Sequence, residues 1–306
     1  MTTLTRDRER NRPIDGALFS SGVEEQILLS VHLLGKPTAA QLFRLHEREV
    51  GTLRRMQGIL RRLSTGPDRM LNVIKPFDIA KPILSLPYVY LDTTKSRRFI
   101  EQRFGVPFRR PPEVPSRDWR FLRHDVTMCD ELVAFELIAK KLGVPFGYQP
   151  LIDAEGKHIL PKVEIAHNGL THQLRPQPDK ILLVGGTHIF LEHDCGHETI
   201  ECGNIIRDAT IGRKQLVYDA LFLSDPWRWS QSIVVYVLSS KANSTAKEKR
   251  RIKKCLDAMP EMVNSRRLFF VVLSEITAAS MMSDVSWYRG DGGLEEPSCW
   301  LVNLKN

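Results

Sequence analysis

Residues 189–202 read IFLEHDCGHETIEC, a stretch that holds His, Cys, Asp and Glu within fourteen positions. Two metal chemistries compete for it. Carboxylates would serve a hard divalent ion, whereas His193, Cys195 and His197 would serve zinc. Side chains alternate across a strand, so a strand over IFLEHD puts Glu192 and Asp194 on one face and His193 and Cys195 on the other. The zinc set would have to draw on the back face and a turn, and it lacks a paired CxxC knuckle. The bland alternative is a solvated acidic strand end.

The preceding segment, PDKILLVGG, strengthens the carboxylate reading. If the loop at Gly185-Gly186 has two or four residues, Asp179 lies opposite Glu192 or Asp194 on the same face. A three-residue loop would put it on the other face. Asp179, Glu192 and Asp194 would then crowd three negative charges together, which is costly unless a cation holds them. Oxygen donors suit Mg²⁺ or Mn²⁺. The apolar neighbours Ile181, Leu183, Ile189 and Leu191 predict a buried sheet rather than a wet strand end.

Phosphodiester hydrolysis also asks for a basic group to steady developing charge. Lys214, in IGRKQLVY, is the candidate, on a helix that follows the strand. Tyr218 lies one turn on, on the same face. It is a candidate to orient a phosphate or to act as a nucleophile. The alternative for both is an ordinary surface or packing residue.

The elements that must carry these residues read as follows. HDVTMCDELVAFELIAKKLGV predicts a helix stopped at Gly143. PFGYQPL, PDKILLV and THIFLEHD predict strands, TIGRKQLVYDALFL a helix and SIVVYVLSS a buried strand. STAKEKRRIKKCLDAM predicts a basic helix capped by Ser244 or Thr245, and RRLFFVVLSEI a last strand. This alternation predicts an α/β sandwich.

The first part of the chain has a different character. Residues 1–123 hold 23 Lys and Arg against 13 Asp and Glu, a net +10, while residues 124–306 hold 21 against 23, a net −2. A basic module joined to something else is expected, with a polyanion as its partner. GVEEQILLSVHLLG predicts a helix, KPTAAQLFRLH a second with Thr38 as its cap, and VGTLRRMQGILRRLS a third. Leu53, Met56, Leu60 and Leu63 form the third helix's apolar stripe. Arg54, Arg55, Arg61 and Arg62 flank that stripe and are expected to face a DNA duplex. MLNVIKPF and ILSLPYVYLD predict a two-stranded wing, and TTKSRRFIEQRFG a closing helix capped by Thr93 or Thr94. Three helices and a wing predict a winged helix. A protein–protein module of the same fold is the alternative. VPFRRPPEVPSRDW, with four prolines, predicts an extended linker.

The expected organisation is therefore a basic arm over 1–20, a winged-helix DNA-binding domain over 21–108, a Pro-rich linker over 109–120 and an α/β domain over 121–306. Hydrophobic content of 42% and charged content of 26% are ordinary for a globular chain. No apolar run is long enough to span a membrane, and the N-terminus lacks the apolar stretch of a signal peptide. The five cysteines form no CxxC pair and are odd in number, which suits a reducing cytoplasm.

Taken together, the winged helix, HDVTMCDELVAFEL, PDKILLV, FLEHDCGHET and the helix with Lys214 and Tyr218 resemble the replication-relaxation family, which includes MobC-type plasmid relaxases. The resemblance covers nearly the whole chain. It implies a restriction-endonuclease-like α/β/α sandwich of the PD-(D/E)XK kind after the winged helix. By position, Asp179 matches the P-D aspartate, Glu192 and Asp194 the E-x-D acids, Glu198 the trailing glutamate and Lys214 the helix lysine. His124 and Asp130 fall at the first-helix motif. CGHET stands where RGTE is commoner, and TMCDE where a VND stretch is usual. Asp194 occupies the place of the usual nuclease lysine, so the lysine must come from the helix.

The activity implied is site-specific binding of double-stranded DNA at an origin, then nicking of one strand with Mg²⁺ or Mn²⁺. It would act alongside other mobilisation or replication proteins. The open alternatives are an inactive DNA-binding initiator or accessory factor, a transcriptional regulator, and a structural zinc protein.

Overall fold

The computed structural model describes residues 22–75, 87–106, 119–153, 155–196, 198–201, 205, 210–239, 244–259, 261–279, 285–291 and 294–295. The expected basic arm and nearly all of the Pro-rich linker lie outside the described residues. The chain forms two compact units, Met1–Val133 and Ala134–Asn306. Their division falls inside one helix, thirteen residues later than the expected start of the second domain, so His124 and Asp130 are counted with the first unit.

The first unit has the expected helices and ribbon and one short helix more, Glu47–Val50. They are α1 (Gly22–Leu34), α2 (Ala39–Leu45), a short α3 (Glu47–Val50), α4 (Leu53–Ser64), β1 (Leu71–Ile74), β2 (Val89–Asp92) and α5 (Thr94–Phe104). β1 and β2 pair antiparallel, and Thr38 bridges Val89. This is a winged-helix arrangement. Thr38 caps α2 in a reciprocal box with Gln41, and Thr93 caps α5 in the same way with Ser96. The stripe of α4 differs from expectation: Met56, Ile59, Leu60 and Leu63 are buried, while Leu53 is 38% exposed. Leu53 stands at the first position of the helix. Inside the unit, Asp92 takes His32 Nδ1 at 2.8 Å and two Arg97 nitrogens at 2.7 Å each. Burial alone would raise the Asp92 pKa, but these partners outweigh it and leave it lowered.

The second unit is α/β, as expected. Helix α6 (Trp119–Leu142) begins in the first unit and ends in the second at Gly143, whose φ of +68° suits a residue without Cβ. Then come β3 (Phe146–Gln149), β4 (Val163–His167), β5 (Leu170–Leu174), β6 (Lys180–Val184), β7 (Thr187–Asp194), α7 (Ile211–Ser224), β8 (Ser232–Leu238), α8 (Thr245–Asp257), β9 (Leu268–Val272), α9 (Leu273–Ala278), β10 (Trp287–Arg289) and β11 (Leu294–Glu295). Seven strands form one sheet in the order β11-β10-β9-β8-β7-β6-β3. Strands β3, β6 and β7 run as an antiparallel meander, and β8 and β9 add parallel to β7. Strands β4 and β5 form a separate ribbon that the sequence reading does not anticipate. Val163 and Ile165 of β4 are buried in alternation, β5 is largely exposed, and Asn168-Gly169, both at positive φ, make the turn between them.

All seven residues of β8 are buried, as expected for a strand inside a parallel array covered on both faces. Phe190 stacks on Tyr218 and Phe222 beneath α7. Each such fully buried large apolar side chain contributes roughly 1.5–3 kcal/mol. The β6–β7 hairpin turns through Gly185 and Gly186 alone, both at positive φ, a conformation only glycine adopts freely. That two-residue turn sets the register Lys180↔Leu191; just beyond it the Asp179 N–H bonds the Leu191 carbonyl, close enough for the Asp179 charge to act on Glu192.

Candidate active site

The cluster is assembled at the C-terminal ends of β7 and β8. Asp179 stands just before β6, and its backbone N–H reaches the Leu191 carbonyl at 3.0 Å. Its Oδ2 accepts the His193 N–H at 2.8 Å. Glu192 is 1% exposed and Asp194 2%. Both face α7 and α8, as alternation requires.

Glu192 is held from two sides. The Tyr218 hydroxyl donates to Oε1 at 2.5 Å, and Lys214 Nζ lies 2.9 Å from Oε2. Lys214 also donates to Glu198 at 2.8 Å. Thr210 caps α7 by accepting the Arg213 N–H, which fixes the turn that carries Lys214. Asp194 accepts the Gly196 N–H at 2.8 Å and pairs with the Arg251 Nε of α8. Arg251 also donates to the Glu198 carbonyl at 2.6 Å. Tyr236, in register with Glu192 on β8, is buried, and its hydroxyl has no hydrogen-bond partner among the described residues.

Burial pushes the Glu192 carboxyl up to about 7, and the charge of Asp179 adds to this. Lys214 and Tyr218 oppose the shift without cancelling it. Glu198 is also raised, by burial first and then by Asp194 and Asp179. Burial alone would lower Lys214, but Glu192 and Glu198 outweigh it and hold the ammonium above its usual range. Tyr218 is raised well above its ordinary value by burial and by Glu192, so it stays a donor.

A stability prediction follows with a definite sign. Folded Glu192 keeps its proton to about pH 7, whereas unfolded glutamate releases it near 4.5. Between those values the unfolded state binds fewer protons, so native stability falls as pH rises. Glu192→Gln removes that loss. Relative to the native protein, the variant should gain up to roughly 3 kcal/mol on going from pH 4.5 to 8, measured by urea unfolding at both pH values. An advantage that stays constant with pH would count against the raised carboxyl.

The sequence-derived residues fare differently. Asp179, Glu192, Asp194, Glu198, Lys214 and Tyr218 all come together. Tyr218 is 1% exposed and its hydroxyl donates to Glu192, so in this structure it is turned to that carboxylate. Asp194, the third acid of the expected metal set, has both oxygens engaged, as does Glu192. His124 and Asp130 lie on α6. There His124 Nδ1 is 3.8 Å from Asp125, and Asp130 is 3.5 Å from Arg44.

Two residues are missed by sequence reasoning, Arg251 and Tyr236. Arg251 could have been found on a helical wheel, because it borders the buried positions Glu248, Ile252 and Cys255. Tyr236 carries no such signal, since only strand order pairs it with Glu192.

On the opposite face, His193 Nε2 is 3.0 Å from Cys195 Sγ and 3.3 Å from Ser239 Oγ. His197, the third zinc candidate, lies outside the described residues. Among the described residues, no three of the His, Cys, Asp and Glu side chains are spaced to hold a metal ion as they stand. For the carboxylates the reason is local: Lys214 sits between Glu192 and Glu198, and Arg251 occupies Asp194. The donor chemistry still suits a hard divalent ion. When ionised, four carboxylates face only two cations, and the excess charge is negative.

In the first unit, Arg54, Arg55, Arg61 and Arg62 are all exposed along α4. Arg62 differs from expectation in pairing at 2.5 Å with Glu24, a carboxylate only 4% exposed. It is therefore committed to holding α1 against α4. Among the described residues no helix is long and apolar enough to cross a membrane.

Fold and site define a class: an α/β protein with a winged helix and a carboxylate–lysine cluster at the end of a mixed sheet. No family model matches the chain, and neither a curated protein nor a solved structure matches it.

Proposed function

We propose that the protein is a DNA-nicking endonuclease of the relaxase kind, which binds an origin-like duplex through its winged helix and cleaves one strand. One observation carries this reading. Asp179 and Glu192 meet across the β6–β7 hairpin, and Lys214 reaches Glu192 from the next helix. A mixed sheet with helices before and between its strands agrees with the α/β/α sandwich that the sequence resemblance implies. It supports the reading without establishing activity.

Asp179 and Glu192 would hold a Mg²⁺ or Mn²⁺ ion, which when bound would polarise the scissile phosphate and acidify a water. The chain's own residues have separate tasks. Tyr218 orients Glu192 by donating to Oε1. Lys214, fully charged at neutral pH, supplies positive charge for a developing phosphorane once it shifts from Glu192. Arg251 holds Asp194 and the Glu198 backbone, and so fixes the turn after β7.

An inactive DNA-binding initiator is the second reading, favoured by the engagement of Glu192, Asp194 and Glu198 with protein cations. Supercoiled plasmid carrying the DNA that flanks the protein's own coding sequence separates the two. Incubated with and without Mg²⁺ or Mn²⁺, it should convert to the open circle only with the ion. Duplex binding without conversion under either ion would leave the initiator standing.

Binding itself should rest on Arg54, Arg55 and Arg61. Replacing all three with glutamine should lower the salt slope of duplex affinity by about 2.7, at roughly 0.9 per phosphate contact. Arg62→Gln should instead mainly lower thermal stability. Equal loss of duplex affinity from Arg62→Gln alone would contradict this division.

A further inference from the structure

Helix α8 carries Lys247, Lys249, Arg250, Arg251, Lys253 and Lys254 within thirteen residues. Its buried side is Glu248, Ile252 and Cys255. Lys249 turns away to Glu275 at 2.7 Å. At 100° per residue, Lys247, Arg250 and Lys254 fall on one solvent strip. Arg250 bonds only to the Ala246 carbonyl of its own helix, at 3.3 Å. Among the described residues, Lys247, Lys253 and Lys254 pair with no carboxylate. Like charges three and four positions apart destabilise a helix by a few tenths of a kcal/mol per pair. The strip is thus a local concentration of positive charge in the part of the chain whose net charge, over 124–306, is −2.

Arg251 joins that strip to the candidate site. It stands at the edge between the exposed basic face and the buried face. From there it reaches Asp194 and the Glu198 carbonyl. A polyanion lying along Lys247, Arg250 and Lys254 would therefore lie on the same helix that carries Arg251.

We propose that the exposed face of α8 is a second nucleic-acid surface, separate from the winged helix, which binds the phosphates of a single DNA strand. Why a strand should be delivered there rests on the nicking reading; the binding does not. Charge complementarity supports this partner: evenly spaced lysine and arginine side chains match a phosphate backbone and read no base edge.

The test uses the full chain and a fluorescein-labelled oligothymidylate of about 20 nucleotides, followed by anisotropy over a range of NaCl. Combined Lys247→Gln, Arg250→Gln and Lys254→Gln should lower the slope of log affinity against log salt by about 2, at roughly 0.7 per contact. The Arg54, Arg55 and Arg61 glutamine variant should keep the single-strand slope within about 0.5 of the native value while losing duplex affinity. Circular dichroism of both variants checks that they fold. The proposal is overturned if the α8 variant binds the oligonucleotide with unchanged slope and affinity, or if the α4 variant carries the whole single-strand loss. Neither result depends on cleavage, so Glu192→Gln nicking assays test the enzyme reading separately.

Discussion

Glu192→Gln is expected to cut divalent-dependent nicking of supercoiled DNA by about a thousandfold, within the range seen when one preorganised charge is removed from a reaction centre. The argument is geometric. Glu192 is the one acid that touches both α7 residues of the cluster, Tyr218 at 2.5 Å and Lys214 at 2.9 Å, and the Asp179 charge acts on it across the hairpin. Glutamine keeps the shape and the Tyr218 contact but cannot carry charge. Duplex affinity should stay within about twofold, because the proposed phosphate contacts lie on α4 and not at this cluster. Urea unfolding of the variant at the assay pH separates loss of the site from loss of the fold. If the glutamine variant opens plasmid as fast as the native protein, the site is misplaced.

Arg251→Ala is expected to destabilise the second unit by about 3 kcal/mol. Asp194 is 2% exposed, and the arginine is its charge partner. Removing the guanidinium leaves a buried carboxylate with the Gly196 N–H as its remaining hydrogen bond among those described, and frees the Glu198 carbonyl. The penalty belongs to the stranded charge, not to the lost contact, so Asp194→Asn in the same background should recover most of it. Urea midpoints of the native protein, the single variant and the double variant decide this. A double variant no more stable than Arg251→Ala alone would show that Arg251 acts through packing instead.

Much of the fold was legible because it rests on local rules. Strand alternation put Glu192 and Asp194 on one face. Thr38 and Thr93 announced their helices, and Gly143 the end of another. Gly185-Gly186 restricted the hairpin to a short turn, and its two-residue form brings Asp179 to Glu192. The β4–β5 ribbon carried a local signal that the sequence reading passed over, since Val163 and Ile165 alternate with exposed neighbours and Asn168-Gly169 marks the turn, although β5 is largely exposed.

Residue types and their two periodicities were enough, by themselves, to establish an α/β chain with a basic amino-terminal module and to gather Asp179, Glu192 and Lys214. Which cation each acid keeps was decided only by the tertiary structure. Arg251 lies 57 residues from Asp194, and Tyr236 meets Glu192 only because β8 adds parallel to β7. Pairings of that kind depend on strand order and helix placement, which no local period encodes. The same holds for Arg62: its spacing on α4 matches that of the other arginines, but a buried Glu24 from α1 claims it.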